Sequence, residues 1–324
     1  MRRREFIALL GAAPLAATEH AHGRGTRRVG FLHPGSHAAV SMRAAAFKEG
    51  LSPPSSLEAR GDTEVVMRVA DGDPDRLPGM AEELVAAGVD AMLAVSPTAV
   101  RAAAAATRSI PIIAVDLESD PVANGWASSL ARPGGNISGV FLDLPEVSAK
   151  CLQLLGETVP SLRKVGIIWD VATGSVALRA VEIATAPLNI ATEIFPIRRL
   201  ADVPLAFEAS QQARLGGMMM LSSPIIGGNP KYLAELTVAR RLPTVTLFPE
   251  FAQMGGLLAY GPDLQGLFRQ GAVLLRKALD GARPAELPIQ RPERFQLVAN
   301  VRTAKALGLE FPGAILVRAD EVIE

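Results

Sequence analysis

The chain has 324 residues, enough for two domains of ordinary size, each with its own core. Hydrophobic residues make up 49% and charged residues 20%, with a mean hydropathy of +0.24, which excludes a disordered chain. Thirty-three basic and thirty-three acidic residues cancel, and the absence of a basic stripe or aromatic-interleaved basic patch argues against nucleic-acid binding.

Met1 to His22 reads as an export leader rather than as part of the fold. Arg2-Arg3-Arg4 is a basic start, Phe6 to Ala17 a short apolar run, and small residues follow. The apolar run is too short to span a bilayer as a helix. Arg3-Arg4-Glu5-Phe6-Ile7 resembles the twin-arginine signal. A periplasmic protein, soluble after cleavage, is the expectation. The four histidines are His20, His22, His33 and His37. A Ser-His-Asp, Cys-His or multi-histidine zinc design would have to draw on that N-terminal group alone.

From Arg27 the chain alternates strand-like and helix-like segments. Arg27 to His33 is a short apolar run closed by Pro34-Gly35-Ser36, and Ala38 to Leu51 has helical spacing. Thr63 to Val69 is β-branched and strand-like. Pro74 to Ala87 reads as a helix, with Asp73 as N-cap and Gly88 as its stop. Val89 to Val95 and Ile110 to Val115 are continuous apolar strands on either side of a helix over Ala99 to Thr107. Strands apolar on both faces, alternating with helices, predict a parallel sheet covered on both sides.

Asp116 to Val140 interrupts this rhythm. It carries acids, Pro121, Trp126 and a Pro133-Gly134-Gly135-Asn136 turn, and it reads as the first crossing between two lobes. The alternation then resumes: helix Pro145 to Val159, strand Lys164 to Trp169, helix Val176 to Ala186, strand Ile190 to Pro196, helix Ala201 to Arg214, strand Gly216 to Leu221, helix Tyr232 to Arg241, strand Thr244 to Leu247. Cys151, the single cysteine, falls in the first of these helices, where a buried inert thiol is expected. Met218-Met219-Met220 reads as core strand. Gly255 to Asp263 and Gly281 to Arg294 read as two further crossings, around a helix Leu264 to Leu279 assigned to the first lobe. The predicted fold is α/β, two doubly wound parallel-sheet lobes joined by a three-crossing hinge. The first lobe is 27–136 and 257–286, the second 137–256 and 287–324.

In such sheets ligands bind beyond the carboxyl ends of the strands. Ser36, Ser96 and Thr98 offer hydroxyls beside free backbone N–H groups, which suit an anion; for Ser96 and Thr98, capping of their own helix is the alternative role. Asp116 offers a carboxylate to an ammonium, or else ties down its own loop. Asp170, Ser222 and Ser223 occupy the matching places in the second lobe, and Glu250 is a further candidate partner for an ammonium. No G-x-G-x-x-G or Walker loop occurs, so no nucleotide cofactor is expected, nor is a metal.

Taken together, V-G-F-L-H-P-G-S at Val29 to Ser36, D-R-L-P at Asp75 to Pro78, S-D-P-V-A-N-G-W-A-S-S-L-A-R-P-G-G-N-I-S-G at Ser119 to Gly139, A-Y-G-P-D at Ala259 to Asp263, T-A-K-A-L-G-L at Thr303 to Leu309 and the terminal R-A-D-E-V-I-E resemble the substrate-binding proteins of ABC transporters, with a type I periplasmic binding protein fold. The leader R-R-R-E-F-I-A-L-L-G belongs to the same resemblance. It implies an exported, monomeric receptor, not an enzyme, that closes on a small solute and delivers it to the membrane permease of an ABC importer. Relatives similar to aromatic amino-acid receptors make an amino acid or related carboxylate the leading ligand class. Ser52 to Arg60 and Val65 to Val69 depart from the family pattern by lacking aromatics, which leaves Trp126, Phe251 and Tyr260 as candidate walls. The alternatives are a two-lobed hydrolase or lyase using acids among Asp116, Asp170 and Glu250, and a ligand-sensing domain of a regulator.

Overall fold

The computed structural model describes residues 26–52 and 62–324. The expected leader, and Pro53 to Arg60 of the departing segment, lie outside the described residues. The first lobe contains β1 (Arg27–His33), α1 (His37–Leu51), β2 (Thr63–Val69), α2 (Leu77–Ala86), β3 (Ala91–Val95), α3 (Ser96–Ala106), β4 (Ile112–Asp116) and β5 (Ile137–Phe141). Its sheet runs in the order β2-β1-β3-β4-β5, and every pairing is parallel. β3, β4 and β5 are buried along their whole length, as continuous apolar runs require once helices cover both faces.

The second lobe begins with α4 (Leu144–Thr158), β6 (Lys164–Asp170), α5 (Val176–Thr185), β7 (Ala191–Ile197), α6 (Asp202–Gln212) and β8 (Gly217–Met220). It continues with α7 (Pro224–Gly227), α8 (Pro230–Ala239), β9 (Thr244–Thr246), α9 (Pro249–Gln253) and β10 (Leu258–Pro262). After α10 (Leu264–Leu279) come β11 (Phe295–Asn300), α11 (Val301–Ala306), α12 (Gly313–Arg318) and β12 (Glu321–Ile323). The sheet order is β12-β11-β10-β9-β8-β6-β7. Only the β10–β11 pairing is antiparallel. The methionine run is buried in β8, and Cys151 is buried in α4, its Sγ donating to the Tyr260 carbonyl at 3.3 Å. Burial pushes that thiol up to about 12.

Two expected lobe boundaries move. Residues 137–141 were assigned to the second lobe, but β5 pairs with β4 over Ile112–Asp116 and belongs to the first sheet. Residues 258–262 were assigned to the first lobe, yet β10 lies between β9 and β11 in the second sheet. The chain therefore passes between sheets after β5, after β10 and before β11. At the first of these, Gly139 has φ +150°, and a Cβ there would lie 2.1 Å from the Ala114 carbonyl oxygen of β4.

α10 shows how the passages are used. Asp263 caps it, accepting from the Gly266 N–H at 3.1 Å, and Arg276 and Lys277 sit in the last turn, where cations favour the helix dipole. Its Leu264, Leu267, Phe268, Leu274 and Leu275 recur at helical spacing and are buried, each worth about 1.5–3 kcal/mol. That face lies on α1 and on β3, β4 and β5 of the first sheet. The return segment is laced to β5: Gln290 N donates to Gly139 O at 2.9 Å, and Phe141 N donates to Gln290 O at 3.0 Å.

Candidate functional site

The carboxyl ends of β1, β3 and β4 place His33, Ser96 and the loop from Asp116 on one side of the interlobe junction. Those of β6, β8 and β9 place Asp170, Ser222, Ser223 and Phe248 on the other. A small cavity lies between the lobes. Its polar lining is His33, Arg43, Ser96 and Glu118 from the first lobe and Ser223 from the second. Its apolar wall is Val95, Val115, Leu117, Pro224 and Phe248, with Leu264, Leu267 and Phe268 of α10.

The lobes touch directly here. Ser222 Oγ donates to Glu118 Oε1 at 2.6 Å, and Arg43 Nη2 donates to the Gly227 carbonyl at 2.9 Å. Four buried side-chain atoms among the described residues have no hydrogen-bond partner: His33 Nε2, Glu118 Oε2, Thr246 Oγ1 and Glu250 Oε2. The first two line the cavity, and Glu250 acts electrostatically on Arg43, which also lines it. Orphaned buried polar atoms are rare in folded proteins, so the two on this cavity's lining mark a site.

The acids form a strained set. Asp116 is fully buried at the end of β4, and its Oδ1 accepts from the backbone N–H groups of Glu118 at 2.8 Å and Ser119 at 3.1 Å. Ser119 Oγ donates to its other oxygen. Burial raises its pKa against these bonds. Glu118, 4% exposed, is raised well above the ordinary range, first by burial and then by the negative charge of Asp116. Burial also raises Asp170, which is bonded to Ala172 N at 3.0 Å and to the Ser223 hydroxyl. Two buried carboxyls that repel each other, Asp116 and Glu118, favour the protonated form, Glu118 the more strongly. Arg43 is the facing cation. Burial lowers its pKa, while Glu250 and Glu118 act to raise it. Among the described residues no cluster of His, Cys, Asp and Glu has the arrangement to hold a metal ion.

The sequence-predicted residues divide by place. Ser96 and Ser223 line the cavity. Asp116, Asp170 and Ser222 are buried directly behind that lining, through their contacts with Glu118 and Ser223. Glu250 opens α9 beside Arg43. Ser36 does not reach the cavity; it is exposed and caps α1, accepting from Ala39 N at 3.3 Å. Thr98 sits one step back, its hydroxyl 2.9 Å from that of Ser96. Neither Ser96 nor Thr98 caps α3. Ser96 instead adopts φ +73°, a left-handed turn between β3 and α3 that a serine adopts at a cost.

Sequence reasoning missed His33, Arg43, Glu118, Phe248 and Phe268 as site residues. Glu118 lies two residues beyond Asp116, whose place at the carboxyl end of a strand is the signal that could have found it. The candidate aromatic walls are elsewhere. Trp126 packs on Phe141 with ring centroids 6.4 Å apart, Tyr260 stacks on Phe295 at 5.8 Å, and Phe251 is buried in the second-lobe core.

Residues 28–323 match the family model described as ABC transporter substrate binding protein. A tyrosine-binding protein of Clostridioides difficile (strain R20291) is 23% identical over 245 residues, 74% of this chain and 69% of that protein. An ABC domain from Streptococcus pneumonia in complex with L-Trp superposes with a TM-score of 0.83 at 19% identity, covering 92% of this chain and 100% of that one. A ligand-free, open substrate binding protein with adhesive properties from Clostridium difficile gives a TM-score of 0.63 at 18% identity, covering 92% and 99%.

Proposed function

Since the chain belongs to the ABC transporter substrate-binding protein family, over residues 28–323, we propose that it is the exported solute receptor of an ABC importer. In this reading it binds an amino acid or related small carboxylate between its lobes and delivers it to the membrane permease. The fold is that of the type I periplasmic binding proteins. No helix among the described residues is long and apolar enough to cross a membrane.

The observation that carries the reading is the composition of the cavity. Cationic Arg43 and the acceptor oxygens of Glu118 line it from the first lobe, Ser223 from the second, with Phe248, Phe268, Leu264 and Leu267 around them. A zwitterion with an apolar side chain has a partner of each kind there, and lobes that close on it gain contacts from both sides at once. The relatives that bind tyrosine and L-Trp support that ligand class. The better superposition on the L-Trp complex than on the open, ligand-free protein fits lobes already in contact. The expected outcome is binding without turnover.

A thermal-shift screen of the full chain against amino acids, small carboxylates, sugars and nucleosides tests this. Ligand at 100 times Kd stabilises by about 2.7 kcal/mol, so an amino acid or a related small carboxylate raises the midpoint, and sugars and nucleosides leave it in place. Silence from every amino acid and small carboxylate, or chemical conversion of one, sinks the proposal. Export is tested separately. Replacing Arg3 and Arg4 by Lys blocks delivery to the periplasm, and unchanged delivery overturns the twin-arginine assignment.

A further inference from the structure

We propose that His33 presents its Nε2–H to a carboxylate oxygen of the bound ligand and thereby selects for ligands carrying that group. The inference rests on the amino-acid reading above and adds to it a residue and a recognised atom.

The tautomer follows from one hydrogen bond. The Gly35 backbone N–H donates to His33 Nδ1 at 2.8 Å. That nitrogen must therefore offer a lone pair, and the neutral ring carries its proton on Nε2. The ring is 3% exposed, and Nε2 has no partner in the protein although His33 lines the cavity. A buried N–H with nothing to donate to is destabilising, and a ligand acceptor relieves it.

The ring is also held in place. It lies parallel to Phe31, with centroids 6.1 Å apart and planes 6° apart, and Phe31 in turn stacks on Phe268 at 6.2 Å. Burial, then the charge of Arg43, pushes the His33 pKa down to about 3. A second proton does not arrive in the physiological range, so His33 acts there as a fixed neutral donor rather than a titrating one.

Arg43 decides what kind of acceptor fits. It lines the same cavity as His33 and acts on it electrostatically. A cation repels a ligand ammonium and favours an anionic oxygen beside it. Glu118, with Asp116 and Asp170 behind it, lies within electrostatic reach of Arg43 and is tied to the second lobe through Ser222 and Ser223; its acceptor oxygens suit an ammonium. His33 with Arg43 thus offers donors to the carboxylate end of an amino acid, and Glu118 offers an unpartnered acceptor oxygen to its ammonium end.

The test is isothermal titration of the full chain with L-tryptophan and L-tyrosine, and with tryptamine and tyramine, which lack the carboxylate. His33→Asn keeps an acceptor for the Gly35 N–H but loses the donor into the cavity. It should bind the amino acids roughly 10- to 100-fold more weakly, the range for a hydrogen bond to a charged group, and the amines within about twofold of wild type. His33→Gln, whose amide nitrogen reaches the place of Nε2, should restore most of the loss. Equal losses for amino acids and amines, no loss at all, or a Gln variant no better than Asn overturns the assignment. If the wild type binds none of the four, the same comparison is made with whichever amino acid raises its thermal midpoint and with the amine that lacks its carboxylate; silence from every amino acid overturns the amino-acid reading itself, and that failure is visible without any variant.

Discussion

The carboxyl of Glu118 has nowhere good to put its charge. Burial and the neighbouring Asp116 both favour its protonated form, and its one bond, from Ser222 Oγ at 2.6 Å, is made with Oε1 only. A folded pKa raised above the unfolded one means that the native state binds the proton more tightly. That stabilisation is fully present below the unfolded carboxylate value of about 4.3 and is lost as pH rises through the folded value. The thermal midpoint of the ligand-free protein should therefore fall as pH is taken from about 5 upward. Glu118→Gln, which keeps the shape and discards the titration, should flatten the slope. Parallel slopes in the two proteins would refute the idea. Asp71 and Asp202 are lowered, the first chiefly by its bond to His37 and the second by the Arg198 amide, so they act in the opposite sense, in acid. At this scale the sequence was half legible. Ser96, Asp116, Asp170, Ser222 and Ser223 stand at strand ends, where geometry gathers ligands whatever the ligand is. Arg43 was hidden because α1 inverts the usual pattern. Met42 is 56% exposed while the guanidinium next to it turns inward. Hydropathy along one helix cannot foresee that, because the second lobe, not the first, supplies the Gly227 carbonyl that Arg43 needs.

Among the elements, β5 and β10 are the ones on which the passages between lobes depend, and both rely on a missing Cβ. At Gly139 it would fall 2.1 Å from Ala114 O, and at Gly261 it would fall 1.7 Å from Leu247 O. Neither obstacle is a side chain that can swing away. Gly139→Ala and Gly261→Ala should each destabilise by about 3 kcal/mol or more, in the range kept for enforced backbone shifts. Urea unfolding read by circular dichroism measures it. A loss under about 1 kcal/mol at either position would show that these strands can separate freely. The same two strands account for the displaced lobe boundaries. Thr63 to Val69 and Leu264 to Leu279 were legible to the residue because a β-branched run and a 3.6-residue period are local signals. Ile137 to Phe141 is five residues after a Pro-Gly-Gly turn, and Leu258 to Pro262 contains Gly and Pro. Each resembles a connector until its pairing partner is known, and pairing is a tertiary fact.

For the molecule as a whole, the lobes are joined by a shared apolar cluster and by hydrogen bonds at the cavity. The Ser222–Glu118 bond reaches across the junction, and Arg43 to Gly227 O is a second link. Removing the Ser222 hydroxyl costs about 1 kcal/mol of closure, a roughly fivefold shift toward parted lobes. Small-angle scattering should give ligand-free Ser222→Ala a larger radius of gyration than wild type, and the two should coincide at saturating ligand. Equal radii without ligand would mean that this bond does not govern the balance. The two-lobe, three-passage plan was legible in advance because its long alternation of elements is a statistical signal spread over the entire chain. The contacts between the lobes were not, because they join residues far apart in sequence, Glu118 with Ser222 and Arg43 with Gly227.

The placement of α10 also has a bearing on how the chain is made. A ribosome releases all five strands of the first sheet before any residue of α10 exists. The face over β3, β4 and β5 that receives Leu267, Phe268, Leu274 and Leu275 must stay bare while β6 to β10 are synthesised. The lobe begun first is thus completed late, and a nascent chain paused before Leu279 displays an apolar surface open to chaperones or to a neighbouring copy.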